Sequence, residues 1–410
     1  MDDREANQEQ HLKRALSTPM LSLYGAGTIV GAGIYVLIGE VAGEAGYWTP
    51  VAFLVAALVA SVTGAVYAEL SSRHPGAGGP VAYSNAAFGL SWLAVGIGWA
   101  IVATGVVSSA TILSGFVGYL GIFVDLPDWL VITVLALVLG GVAAAGVKES
   151  AWLMAITTTA GVVGLILVMV AGYGSGGSLG DTFGEAAPIT DMATVTAILA
   201  AAFLGFYAFI GFEDLVHMSE EAREPRKGLP RAIVIALAVS AVLYVLTAVA
   251  ALLLVSPDEL SGATAPLVAT VEAAGWPGWP LGILSLMVIV NGAMAQIIMA
   301  TRVIYSLRKW GGAPDWLGRP HPRTGTPIFG TVVVTATVLG LAIAVPLKSL
   351  ASITSFIMLA VFFISNLSLI VLERRKSEAP FDVPTWLPYL GAALCVGLAA
   401  AQLLLSGGGE

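Results

Sequence analysis

The sequence predicts an all-α membrane protein of eleven transmembrane helices. Ten of these form two five-helix blocks of opposite orientation, and the first helix of each block is discontinuous. Three observations carry that expectation. Of the 410 residues, 57 % are apolar and only 11 % are charged, against roughly 25 % charged in soluble domains. At about 20 residues per crossing the apolar content suffices for roughly eleven helices. With the amino terminus placed in the cytoplasm, seventeen of the eighteen Lys and Arg residues fall on or beside inner segments, leaving Lys348 as the exception. A missed or invented helix would invert every later loop, so the positive-inside rule tests the count. Glycine clusters then recur 180 residues apart, at Gly31 and Gly211.

In chain order, residues 1–18 are polar and mixed in charge, without a small-residue cleavage site after a short apolar core, and read as a cytoplasmic tail rather than a signal peptide. Apolar spans follow at 19–44, 49–70, 91–123, 129–147, 151–173, 193–217, 231–256, 280–301, 327–345, 350–372 and 386–406. The first block is 19–173 and the second 193–372, together a ten-helix core (19–372), with 386–406 as a peripheral eleventh helix ending outside. Because five is odd, the second block enters from the opposite side, which is the arrangement of an inverted repeat. Among the loops, Gly172–Gly180 reads as a flexible connector and Leu267–Ala274 as a short helix on the membrane surface. Lys309–Pro327 holds four prolines and cannot be helical throughout. The run Glu220–Arg231 reads as an amphipathic inner loop whose charges also suit anionic lipid headgroups.

This composition excludes a soluble enzyme and a nucleic-acid-binding protein. Cys395, alone in an apolar run, excludes an intramolecular disulfide and a cysteine metal site. His11, His74, His217 and His321 all map to or near the inner face without a zinc-binding pattern, so no metal and no catalytic residue is expected. No nucleophile–base constellation lies within any span, and no repeated filter motif suggests a channel. The spacing of Gly25, Gly27 and Gly31 loosely matches a dinucleotide fingerprint, but that motif needs a preceding strand.

The glycines in GAGTIVGAGIYVLIG and FLGFYAFIGFED have two readings. One is close helix packing, through pairs such as Gly27 and Gly31. The other is a mid-membrane break, tolerable only where the freed backbone groups face a cavity or ligand. A break around Val30–Gly33 would leave the N–H groups of Gly31, Ala32 and Gly33 at the head of the outer half-helix, where a carboxylate is favoured. Carbonyls near Ile29 in the first helix, and around Phe206, Tyr207 and Ile210 in the sixth, would suit an ammonium or Na⁺. Together they would suit a zwitterion.

These residues carry a resemblance. GTIVGAGIYVLIG, AELSSRHPGAGGPVAY, GVKES, FYAFIGFEDLVHMSEEAREPRKGLPRAI and ATRVIYSLRKWGGAPDW resemble the amino acid–polyamine–organocation family of secondary transporters, over roughly residues 17–375. The closest likeness is to its amino acid permease and cationic amino acid transporter branches. The resemblance implies a LeuT-type fold and alternating access. It implies a carboxylate turn on Gly31, Ala32 and Gly33, with amino-group carbonyls on Ile29, Tyr207 and Ile210. It also places a substrate-lidding aromatic at Tyr207 and a proton-sensing acid at Glu213.

Two departures stand out. The fifth-helix lysine of proton-coupled members falls on Gly161, leaving Na⁺, another H⁺ carrier such as Glu213, or exchange without an ion. Most members have twelve spans or more, against eleven here. An ion site is expected around Gly27, Val30 and Asn291, with Gln296 and Asn291 alternatively serving interhelical hydrogen bonds. Glu213 and Asp214 read either as functional acids by the break or as groups near the cytoplasmic face. Glu40 is expected to face an outer cavity and Glu44 the headgroups, and Glu69 with Arg73 to form a structural ion pair. The expectation is therefore a plasma-membrane transporter of a small, neutral amino acid with no cofactor. Cationic amino acids or amines, and a non-transporting sensor of the same fold, are the alternatives.

Overall fold

The structure, a computed structural model, describes residues 16–76, 78–146, 151–184, 186, 188–219, 221–309, 311–373 and 380–407. His11, Glu220, Arg374, Arg375, Lys376 and most of the tail therefore lie outside the described residues. Every described element is helical apart from one isolated bridge.

The first expected span is two helices, α1 (Thr18–Ile29) and α2 (Ala32–Ala45), separated at Val30 and Gly31. A 3-10 turn at Gly46–Trp48 leads into α3 (Thr49–Arg73), followed by the short α4 (Gly79–Phe88). Next come α5 (Ser91–Leu120), α6 (Asp128–Ala144), α7 (Ala151–Gly174) and the one-and-a-half-turn α8 (Leu179–Gly184). The sixth span begins as α9 (Met192–Phe206), tightens to a 3-10 turn at Tyr207–Phe209, becomes extended at Ile210, and resumes as a 3-10 segment at Phe212–Met218. The second half continues with α10 (Gly228–Leu252), the short α11 (Pro257–Gly262) and α12 (Pro266–Ala273), and α13 (Trp279–Lys309). It ends with the brief α14 (Asp315–Gly318), α15 (Ile328–Ala344), α16 (Leu347–Glu373) and α17 (Leu387–Gly407).

Both interruptions follow the sequence. In α1 the Thr28 hydroxyl bonds back to the Gly25 carbonyl (3.0 Å), a local bond that competes with the helix ladder. In the sixth span Gly211 adopts φ 129°, a conformation that L side chains rarely enter. Either break leaves too short a helix for one crossing: α1 has 12 residues, whereas a crossing takes about 20.

Among the described residues, eight helical stretches are long and apolar enough to cross a membrane, one of them running from Ala32 through the 3-10 turn to Arg73. Asp128–Ala144 and Ile328–Ala344 are apolar but shorter. At 17 residues each, they are about 25 Å long. The chain is thus a multi-pass membrane protein, and each of the eleven expected spans contains a helix or a broken helix. Leucines and valines such as Leu54, Leu58, Val134 and Leu137 remain exposed on the outside of the bundle, as lipid contact requires.

Helices pack most extensively as α5 with α13 and α3 with α10. The first of these crossings is tight: a Cβ on Gly105 would sit 2.9 Å from the Gln296 carbonyl oxygen. The eleventh helix, α17, packs on α16, α3 and α9, where Cys395 is buried beside Thr63.

Several local expectations change. The segment expected on the membrane surface forms α12, but Leu267, Val268, Thr270 and Val271 are buried against α2 and α7. The supposed connector is shorter than expected, since α7 continues to Gly174 and α8 starts at Leu179. Lys348, the topological exception, pairs with Glu44. Glu69, fully buried, pairs with Arg73 and also accepts the Val383 N–H (2.9 Å), fastening the segment that leads into α17.

Candidate functional site

The two interruptions meet. A cavity of about 50 Å³ lies between them, lined by Gly27, Thr28, Ile29, Gly31, Ala32 and Gly33 from the first break and by Tyr207, Ala208, Ile210 and Asp214 from the sixth span. Ser108 and Ile112 of α5 close one side, Met154 and Thr157 of α7 another, and Asn291 and Gln296 of α13 a third. All six residues expected to hold substrate (Ile29, Gly31, Ala32, Gly33, Tyr207, Ile210) thus border one space, with Gly27 and Asn291 of the expected ion set. Val30 does not border it. Its carbonyl oxygen faces α7 instead, 3.0 Å from where a Cβ on Gly161 would stand.

Two glycines permit the approach of the breaks. A Cβ on Gly33 would lie 2.7 Å from Ala208 Cα, and one on Gly211 would lie 2.6 Å from the Thr28 carbonyl oxygen. Neither obstacle is a flexible side-chain tip, so a substitution has to push backbone apart. At Gly33 and Gly211 the helices thus break and the broken ends pack on each other.

Backbone groups at the breaks divide into occupied and open ones. The buried N-terminus of α2 carries no side-chain cap at Gly31, so its first N–H groups remain available to an anion. The carbonyls are more committed than the sequence suggests. Tyr244 of α10 lies with its hydroxyl 2.6 Å from the Ile29 carbonyl oxygen and 3.0 Å from that of Ala208, donating across both breaks. The Tyr207 carbonyl accepts the Ile210 N–H (3.1 Å). The Tyr207 hydroxyl bonds Ser108, at 2.8 Å to Oγ and 3.2 Å to the carbonyl oxygen, which fixes its ring against the cavity.

The two acids part company. Glu213 turns back to accept the Gly211 N–H (2.9 Å), capping the segment after the break, and shares with Asp214 a further small pocket beside Pro80, Thr104 and Met358 without bordering the central cavity. Asp214 borders the central cavity. On α13, the Oδ1 of Asn291 and Oε1 of Gln296 are buried without a hydrogen-bond partner, and the Asn291 amide nitrogen meets only Met154 Sδ at 4.0 Å. Thr158 Oγ1, equally unpartnered, lies against Gly27. The cavity is thus lined by both uncapped N–H groups and oxygen acceptors without partners.

Access is unequal. A wider cavity of about 440 Å³, reaching Arg302 and Ser306 near the basic end of α13, shares Thr28, Met154, Asp214 and Ala295 with the central one. At the opposite end, an open cavity of about 840 Å³ lined by Glu40, Asp125 and Asp128 shares no lining residue with it. Between them Tyr35 and Tyr119 are buried, Tyr35 donating to the Gly161 carbonyl (2.6 Å) and Tyr119 to the Tyr35 carbonyl (2.7 Å). The central cavity therefore opens toward the basic end and is closed toward the acidic one.

Sequence reading missed Tyr244, Ser108, Thr157 and the cavity position of Asp214. Tyr244 left a signal, since it is the one aromatic residue in an aliphatic span, and a buried phenol needs a partner for its hydroxyl. Among the described residues no cluster of metal-binding side chains occurs.

Comparison with known proteins agrees with this architecture. A cationic amino acid transporter of Arabidopsis thaliana is 29 % identical over 401 residues, covering 92 % of this chain and 65 % of that protein. The chain thus spans just under two thirds of the plant protein's length. An uncharacterized transporter of Mycobacterium tuberculosis is 30 % identical over 409 residues, covering 99 % of this chain and 90 % of its own. A branched-chain amino acid permease of Bacillus subtilis is 27 % identical over 402 residues, with 91 % and 83 % covered. The sequence model of the amino acid permease family matches residues 16–409. Matched over nearly its whole length, this multi-pass membrane protein belongs to the amino acid permease family.

Proposed function

We propose that the protein is a secondary transporter that carries a small amino acid across the plasma membrane by alternating access around the cavity between the two breaks. One observation carries the proposal: the uncapped α2 N-terminus, the unpartnered oxygens of Asn291 and Gln296 and the carboxylate of Asp214 all border a single small cavity. An α-amino acid supplies both complements, a carboxylate for the N–H groups and an ammonium for the acceptors.

A volume of about 50 Å³ and apolar neighbours at Ile29, Ala32, Ile210 and Val288 favour a small, neutral side chain. Cationic amino acids or amines form the second reading, favoured by Asp214 on the cavity wall. The repeat reading, 19–173 against 193–372, is supported by equivalent spans packing on one another: α3 with α10, α5 with α13, α6 with α15. The short helices occupy corresponding places too, α4 after the second span and α11–α12 after the seventh. Exposed tryptophans mark both interfaces, with Trp92, Trp316 and Trp386 toward the basic face and Trp129, Trp276 and Trp279 toward the other; an amino terminus in the cytoplasm is supported by the Lys and Arg asymmetry.

For the coupling ion, Na⁺ or H⁺, the place with most support is beside Gly27 and Val30. There a carbonyl turned toward Gly161 and the unpartnered Thr158 hydroxyl offer oxygen ligands.

The test is counterflow in proteoliposomes with labelled amino acids and amines, with and without Na⁺ and a pH gradient. Accumulation of a subset is the expected outcome. Binding by the purified protein without accumulation or exchange under any gradient would instead identify a sensor.

A further inference from the structure

We propose that the wide cavity on the basic side is a second, transient station for the transported amino acid. There the carboxylate, released from the α2 N-terminus, is received by Arg302 while the ammonium stays on Asp214. The inference rests on the transporter reading given above.

Asp214 is the pivot, because it borders both the 50 Å³ and the 440 Å³ cavities. Among the described residues its side chain forms no hydrogen bond or ion pair; its neighbour Glu213 is occupied by the Gly211 N–H. Arg302, exposed on α13, borders only the wide cavity and likewise has no ion-pair partner among the described residues.

The rest of that cavity explains why such a station is needed. Val81, Ile101, Met218, Met299, Val303 and Leu307 dominate its lining, and a zwitterion crossing an apolar wall loses hydration that the wall does not replace. Opposite charges on the lining of one cavity would allow the two exchanges to occur in turn. The ammonium keeps its acid while the carboxylate exchanges backbone N–H groups for a guanidinium, whose planar fork matches a carboxylate. Arg302 would act only after the substrate has left the α2 N-terminus, so it should govern entry and exit at the basic face alone. His217 and Ser306 also border the cavity and would tolerate either charge of the passing molecule.

The experiment measures half-saturation from each side, in right-side-out and inside-out membrane vesicles, with the amino acid that wild-type protein exchanges best. Arg302→Gln should raise half-saturation about tenfold from the basic face and leave the other face unchanged, as expected for loss of a charge-assisted hydrogen bond in a half-solvated site. Arg302→Lys should raise it less and from the same face only. Asp214→Asn, altering both cavities, should raise it from both faces. Wild-type half-saturation at both faces in Arg302→Gln overturns the station, and so does an equal rise at both faces, which would mark a structural role. If Arg302→Gln does not insert, an unchanged basic-face value in Arg302→Lys overturns it instead. Wild-type protein that exchanges no amino acid overturns the transporter reading, and the station with it.

Discussion

Tyr244 holds the two breaks in register. Its hydroxyl bridges the Ile29 and Ala208 carbonyls, and removing it leaves a buried acceptor on each side, at a cost of about 1–3 kcal/mol. Tyr244→Phe should therefore cut counterflow on the order of tenfold while leaving membrane insertion intact; wild-type exchange would show that the bridge is dispensable. The glycines give a sharper contrast. Gly211→Ala must displace the Thr28 backbone and occupy φ 129°, whereas a Cβ on Gly205 would meet Phe53 and Ala56 at ordinary distances of 3.5–3.8 Å. Gly211→Ala should lower the melting midpoint in detergent and abolish exchange, and Gly205→Ala should change neither. Equal behaviour of the two would contradict the close approach. Much of this was legible in the sequence, because clustered glycines announce breaks locally, whereas the part of Thr28 emerges only in the structure. Tyr244 and Asp214 were less legible: whether a buried hydroxyl reaches a carbonyl, or an acid a cavity, depends on how helices distant in the chain pack, as with Tyr244 and Ile29, 215 residues apart.

At the scale of elements, the proposed alternating access requires the inner parts of the broken helices to move together with what is tied to them. Leu16, just before α1, donates its N–H to the Glu221 carbonyl (3.0 Å) and accepts from Arg223 (3.0 Å), joining the start of the first span to the loop after the sixth. Leu16→Pro removes one of these bonds without touching the cavity. It should slow exchange while leaving equilibrium binding of the same amino acid near wild type, and unchanged exchange would contradict a coupled motion. At the end of α3, Glu69 has 0 % side-chain exposure and binds both Arg73 and the Val383 N–H. Glu69→Ala leaves Arg73 with Asp382 (3.5 Å) but takes the acceptor from the Val383 N–H, so the melting midpoint should fall by the equivalent of about 1–3 kcal/mol; an unaltered midpoint would show the contact to be incidental. The pair itself follows from i, i+4 spacing. Its grip on the segment before α17 does not, because that contact is set by tertiary packing.

For the molecule as a whole, composition and charge asymmetry were enough to read a polytopic membrane protein, since burial and loop charge obey rules that need no structure. Which way the cavity opens was not legible, because one sequence serves every conformation that the proposed transport requires. The described state joins the central cavity to the basic side through Thr28, Met154, Asp214 and Ala295 and seals it from the acidic side with Tyr35 and Tyr119. The most direct test of the central claim is substrate protection of a thiol at that junction. With Cys395 replaced by serine, Ala295→Cys should react with a membrane-impermeant thiol reagent from the basic face, and the transported amino acid should slow the reaction in proportion to its occupancy. Labelling that the substrate leaves unchanged, or that proceeds only from the acidic face, would contradict a binding site between the two breaks.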